Sequence, residues 1–205
     1  MTTRTRLQKD FYIKEDIVQI SKGLLGKVLV TNIDNQLTSG IIVETEAYRA
    51  PDDKASHAHN NRFTERTKVM FEEGGCAYVY LCYGIHHMFN VVTAKKGIAH
   101  AILVRAIEPV DNIVLMCERR KMQHTDHRLT GGPGKVGKAL GITTQLTGYS
   151  LVDRTTPIWI EDRGINIDEN QIIASPRVRV DYAEECAAWN WRFRIKDSKW
   201  TSRDK

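Results

Sequence analysis

Residues 27–48 read KVLVTNIDNQLTSGIIVETEAY. Two runs rich in aliphatic and β-branched residues, KVLVTNI and LTSGIIVETEAY, flank Asn32-Ile33-Asp34-Asn35, where turn formers cluster. The pattern predicts a β-hairpin whose second arm is long and apolar and ends in two carboxylates and a tyrosine. Side chains alternate along a strand. Strict alternation puts Ile42, Glu44, Glu46 and Tyr48 on one face, and Ile41, Val43, Thr45 and Ala47 on the other. Desolvation raises the pKa of a buried carboxylate and a basic partner lowers it. Either makes a candidate acid or base. Taken alone, a structural ion pair such as Glu44 with Arg105 explains these residues better.

Outward from this hairpin the chain stays β-centred. Residues 14–25, KEDIVQISKGLL, carry helical apolar spacing that Gly26 ends. Residues 49–68 are polar and read as a loop or short helix lying over a surface. Residues 77–93, AYVYLCYGIHHMFNVVT, predict a second hairpin turning at Tyr83-Gly84. Tyrosines on its first arm suit core packing. Tyr83, large and beside the tip glycine, suits stacking or insertion instead. AILVRAIEP (101–109) reads as a strand closed by Pro109, and residues 111–122 as a helix N-capped by Asp111. LTGGPGKVGKALGI (129–142) reads as a glycine-rich turn opening a short helix. PIWIEDR (157–163) and SPRVRVDYA (175–183) complete the predicted strands, and the tail is basic and aromatic. With no repeat or linker, the expectation is one α+β domain over residues 1–205, with helices packed outside a sheet.

Composition narrows the function classes. The 205 residues include 30 Lys and Arg against 25 Asp and Glu, a formal +5 that permits a polyanionic partner without demanding one. Four cysteines form no C-x-x-C pair and read as reduced core residues. No secretory h-region and no membrane-length apolar run stand out, so a soluble cytoplasmic protein is expected. Gly132-x4-Gly137-Lys138 begins like a phosphate-binding loop, but Ala139 replaces the hydroxyl that such a loop needs for Mg²⁺. A simpler anion site at this helix start, with Lys135, is as good a reading as none. His57-x-His59 and His86-His87 lack partners at metal-site spacing, and no G-x-S-x-G elbow is present.

The combination says more than its parts. GIIVETEAY, DDKASHA, MFEEGGCAYVYLCYGIHHMFNVV, AILVRAIEP and LTGGPGKVGKALGI follow in this order. Together they resemble the alkyladenine (3-methyladenine) DNA glycosylase family, from LLGKVLV to RVRVDYA. The resemblance implies a curved, mostly antiparallel, open-barrel-like sheet with a protruding hairpin. It implies Glu46 as the residue that activates the attacking water, with Arg105 and the Val178 carbonyl holding that water. It implies a base pocket of Tyr48, His57 and Tyr80, with Asn90 crowding a guanine amino group. Tyr83 would be the wedge left in the duplex, and Lys135 a phosphate contact. Arg62, Arg66, Arg192, Arg194, Lys196 and Lys199 are candidates for a phosphate-binding face. Asn60-Asn61 departs from the family where a glycine-containing turn is expected.

These residue types fit base excision. A base inside a duplex must be flipped out before it can be cut from its sugar. An alkylated purine can be cationic, and cation–π contacts contribute about 0.5–2 kcal/mol each. The transition state resembles an oxocarbenium ion, which a nearby carboxylate stabilises. No lysine stands in the matched site, so strand cleavage through a Schiff base is not expected, nor is a metal or organic cofactor. The expected partner is double-stranded DNA with alkylated bases, bound by a monomer with no membrane association. A non-catalytic binder of distorted nucleic acid and an unrelated hydrolase using Glu44 and Glu46 are the alternatives.

Overall fold

The computed structural model describes residues 4–202. In chain order the elements are β1 (Thr5–Arg6), α1 (Lys9–Tyr12), α2 (Ile17–Gly23), β2 (Val28–Ile33), β3 (Gln36–Arg49), β4 (Ala77–Cys82), β5 (His86–Thr93), β6 (His100–Asp111), α3 (Ile113–Arg120), α4 (Pro133–Leu140), β7 (Ile158–Asp162), β8 (Ile172–Ser175) and β9 (Arg192–Ile195). The strands form one antiparallel sheet in the order β1-β7-β2-β3-β6-β5-β4, not closed into a barrel. β9 joins the same edge of β3 that β2 occupies, and β8 pairs with β9. β3 is therefore the spine, with β6 along its other side from Ser39 to Arg49.

The opening hairpin forms as its turn chemistry requires. Ile33 pairs with Gln36 across Asp34 and Asn35, whose φ values of 53° and 60° suit a tight two-residue turn. In the second hairpin Cys82 pairs with His86, leaving Tyr83, Gly84 and Ile85 as the tip. Tyr83 and Gly84 adopt φ of 50° and 71°. Helix α4 then lies hard against β5. A Cβ on Gly137 would stand 2.3 Å from the His87 carbonyl oxygen, so only glycine permits this approach. Pro133 sits in the first turn of α4, where its missing N–H costs nothing.

The main core lies between the sheet and helices α2, α3 and α4, with Ile20, Leu24, Met116, Val136 and Leu140 packed on Ile42, Phe89, Val104 and Ile107. Each such side chain contributes about 1.5–3 kcal/mol on burial. A smaller cluster, including Ala58, Met70, Tyr78 and Val92, fixes the 50–71 segment on the other sheet face.

Several sequence expectations need correction. Ile42 does not share the glutamate face. β-Bulges at Val43 on β3 and at Arg105 on β6 interrupt the register, which runs Ile42↔Ile107, Glu44↔Ala106, Thr45↔Val104. Each extra residue shifts the parity, so Ile42 joins Ala47, and Ile107 joins Val104, in the main core. Pro109 does not close β6; the strand runs through it to Asp111, at a register irregularity where its missing N–H is tolerated. The next helix is capped by Asn112, whose side chain accepts from Leu115, not by Asp111. The predicted strand 175–183 ends at Ser175; Val178 and Arg179 form a turn and Asp181–Ala188 a 3-10 segment. The first predicted helix is shorter, beginning at Ile17 behind an Asp16 cap.

Candidate active site

Four antiparallel strands bring the site residues into a row. Glu46 on β3 pairs with Leu103 on β6, Leu103 with Asn90 on β5, and Asn90 with Tyr78 on β4. Residues paired across neighbouring strands share a face, so these four side chains form one transverse line. Tyr48 and Tyr80 lie two residues further along their strands on that face.

At one end of the row sits a buried charge cluster. Glu46 is fully buried. Its Oε1 accepts the Val178 N–H at 2.8 Å, and its Oε2 accepts the Tyr48 hydroxyl at 2.7 Å. Arg105 Nη1 lies 3.2 Å from the same Oε2. The other edge of Arg105 is held by Glu44, whose Oε1 accepts Arg105 Nε at 2.7 Å and Arg192 Nε at 2.8 Å. Ser202 adds its N–H to Glu44 Oε2 at 2.6 Å and its hydroxyl to Oε1 at 2.8 Å. Two carboxylates thus face two guanidiniums. Burial opposes charge on Glu44, but Arg105, Arg192 and Ser202 outweigh it and hold the group below the usual carboxylate range. Burial works against the Arg105 charge too, and Glu46 and Glu44 more than restore it. The bulge at Arg105 aims this side chain between the two acids.

At the other end are aromatic rings. His57 packs edge-on to Tyr80 with centroids 4.7 Å apart. Its Nδ1 meets the Tyr78 hydroxyl at 2.8 Å and its Nε2 meets Arg66 Nη2 at 3.0 Å. Since a guanidinium can only donate, Nε2 accepts and Nδ1 carries the proton. Burial, with Arg66 nearby, lowers the His57 pKa to about 4, so the ring is neutral near pH 7. Arg66 also stands 4.8 Å over the Tyr80 ring. Burial, then the Glu46 charge, raises the Tyr48 pKa well above its ordinary value, which keeps the phenol a donor.

The remaining sequence candidates divide. Asn90 is buried, with Nδ2 donating to the Tyr78 and Met88 carbonyls. Tyr83 projects from the hairpin tip, 78 % exposed. Lys135 is half-buried on α4, where its Nζ donates to the Gly131 carbonyl. Arg62 is exposed just after the 3-10 turn at His59–Asn61. Asn60 and Asn61 take φ of 56° and 54° there, left-handed values that asparagine tolerates best after glycine, which accounts for the departure at that turn. Arg192 is not on a phosphate-binding face: it is buried under Glu44. Glu44 has the ion pair with Arg105 that its structural reading expects, and Arg192 as a second basic partner.

Sequence reasoning missed Leu103, Tyr78, Asp53 and Arg177. The first two are ordinary strand residues whose place in the row follows only from register. Asp53 and Arg177 form a fully buried ion pair between segments 124 residues apart. Among the described residues no group of three or more His, Cys, Asp or Glu could hold a metal ion. No helix among them is long and apolar enough to cross a membrane.

The sequence pattern of methylpurine-DNA glycosylases matches residues 10–199. The chain belongs to the methylpurine-DNA glycosylase family. A protein of Chlamydia felis (strain Fe/C-56), provisionally named 3-methyladenine DNA glycosylase, is 47 % identical over 197 residues, covering 94 % of this chain and 98 % of its own length. Similarly named proteins of Clostridium novyi (strain NT) and Bacillus cereus (strain G9842) are 42 % and 43 % identical, covering 97 % and 94 % of this chain and 98 % and 97 % of theirs. The match to the methylpurine-DNA glycosylase family thus spans the row, the projecting hairpin and, Ser202 apart, the charge cluster.

Proposed function

We propose that this chain is a monofunctional DNA glycosylase of base excision repair that removes alkylated purines such as 3-methyladenine from duplex DNA. The observation that carries the reading is Glu46, a buried carboxylate gripped by the Val178 amide, the Tyr48 hydroxyl and Arg105 at the edge of an aromatic row. A general base must be held within hydrogen-bond reach of the proton it takes, which a fixed carboxylate can do. The flipped base stacks against Tyr48, His57 and Tyr80 while Tyr83 fills the gap in the duplex. Glu46 takes a proton from water as its oxygen bonds to C1′ of the sugar. The C1′–N bond breaks, its electron pair leaves with the purine, and an abasic site remains. Glu46 is sealed from water-sized space without DNA, so base entry must make room for that water. A neutral His57 adds no charge that would repel a cationic base. Arg62, Arg66 and Lys135 contact phosphates, so binding weakens steeply with salt. The protein acts as a single-domain monomer in the cytoplasm, without cofactor.

The test is base release from methylated duplex DNA with EDTA present, for wild type and Glu46→Gln. Release by wild type alone, with lesion binding kept by the variant, supports the reading. No release by a folded wild type, with damaged DNA still bound, moves the function to a non-catalytic binder.

A further inference from the structure

In the glycosylase reading, on which the inference about Arg177 rests, Tyr48 is a wall of the base pocket. Behind that wall stands Arg177. Its guanidinium carbon lies 4.8 Å from the centre of the Tyr48 ring, and the rings of Trp191 and Trp189 lie at 5.5 and 6.0 Å. Its side chain and that of Asp53 are fully buried. Nη1 donates to Asp53 Oδ2 at 2.5 Å and to the Ala47 carbonyl at 2.8 Å. Nη2 donates to Asp53 Oδ1 at 2.8 Å and to the Cys186 carbonyl at 3.0 Å. Asp53 also accepts the N–H groups of Arg49 at 3.2 Å and Ala55 at 3.0 Å.

Burying two charges is costly unless their donors and acceptors are matched; here all but Arg177 Nε find partners, and the matching joins three segments. One is the end of β3, with Tyr48. One is the loop after it, with His57. The third begins at Arg177 itself and places the next residue, Val178, on Glu46. The same guanidinium occupies one face of Tyr48, so a flipped base has only the other.

We propose that the Arg177–Asp53 pair positions the Tyr48 wall and sets how sharply the pocket distinguishes a cationic base from a neutral one. A base stacked at ~3.5–4 Å on the open face puts its charge roughly 8–9 Å from the guanidinium. At that distance an uncompensated unit charge in a protein site changes cation binding on the order of 10-fold. Asp53 cancels most of the field. Removing either partner leaves a charge of opposite sign behind the same ring, so the two removals shift selectivity in opposite directions. Simple loss of packing weakens both kinds of base alike.

The experiment uses the full chain and two duplexes. One carries 3-methyladenine and the other its neutral isostere 3-methyl-3-deazaadenine, each on a 2′-fluoro sugar that resists cleavage. The ratio of affinities, cationic over neutral, is measured for wild type, Asp53→Asn, Arg177→Met and the double variant. Expected are a fall of about 10-fold in Asp53→Asn, a rise of about 10-fold in Arg177→Met, and a return to within about 3-fold of wild type in the double variant. Equal losses for both duplexes, or shifts of one sign in both single variants, overturn the proposal. If Arg177→Met does not fold, Arg177→Lys replaces it; keeping the charge, it holds the ratio within about 3-fold, and a larger shift overturns the proposal. A wild type that releases no base from methylated DNA defeats the glycosylase reading itself, an outcome distinct from an unchanged ratio in an active enzyme.

Discussion

Glu44→Gln separates the two carboxylates of β3 by their roles. Glu44 accepts four donors, from Arg105, Arg192 and twice from Ser202, and is fully buried. A glutamine keeps one acceptor oxygen but turns an NH₂ group toward donors, and it takes the carboxylate away from two buried guanidiniums, of which Arg105 also meets Glu46. Breaking a buried ion pair from one side costs about 3–5 kcal/mol. For a chain of this length each kcal/mol lowers Tm by roughly 2–4 °C, so a drop of roughly 6–20 °C is expected. Thermal and urea unfolding at pH 7.5 measure it, with Glu46→Gln as the comparison. Glu46 shares Arg105 at 3.2 Å and no second guanidinium, so its variant shifts Tm less than half as far. The pH dependence has a definite sign. Burial disfavours the Glu44 charge but Arg105 and Arg192 overcome it, so its folded pKa lies below the unfolded value. The stability it supplies is present above about pH 4.3 and fades as pH falls through the folded value, so wild type and Glu44→Gln converge in acid. A Glu44→Gln protein melting within about 3 °C of wild type at pH 7.5 refutes the structural role.

His57 and His100 are both held near pKa 4 by burial, with Arg66 and Arg49 adding to it. The unfolded chain therefore binds their protons first; stability is full above about pH 6.5 and falls by about 2 kcal/mol per histidine by pH 5. Replacing His100 with Gln should flatten that slope in urea titrations, and an unchanged slope removes His100 from the account. Tyr83→Ser should weaken binding to damaged duplex more than to undamaged duplex in competition assays; equal losses end the wedge assignment. Gly137→Ala should cost about 1–3 kcal/mol, because its methyl group meets the His87 carbonyl. Gly84→Ala, with nothing within 4 Å of its Cβ and only its φ of 71° against it, should cost less by the same melt.

The local elements were legible where their cause is local. The hairpin at Asp34-Asn35 follows from residues that accept positive φ, and the start of α4 from Pro133 behind a glycine pair. Glu46, Tyr48, His57 and Tyr80 came to notice through a resemblance spread over many short motifs, and the fold sets them along one row and its margins. What failed was extrapolation of a local rule. Alternation misplaced Ile42 because a bulge is a negotiation between two strands, and Val43 alone does not announce it. The strand reading of SPRVRVDYA failed because Arg177 is drawn to Asp53 instead of to a neighbouring strand. Arg192 reads in the sequence as one more surface cation, but it is buried with Glu44 as its ion-pair partner.

Short-range chemistry in the sequence specified the two hairpins, the start of α4 at Pro133, the projecting tip tyrosine and a carboxylate pair on an apolar strand, since turn chemistry and residue period act over a few residues. How each carboxylate is held came from the tertiary structure alone: Glu44 is clamped by Arg105, Arg192 and Ser202, and Glu46 by Val178, Tyr48 and Arg105. Arg105, Arg192, Val178 and Ser202 lie 59 to 158 residues from the acids they contact. The energy of a buried charge is set by whatever surrounds it in space, and sequence spacing carries no record of those neighbours.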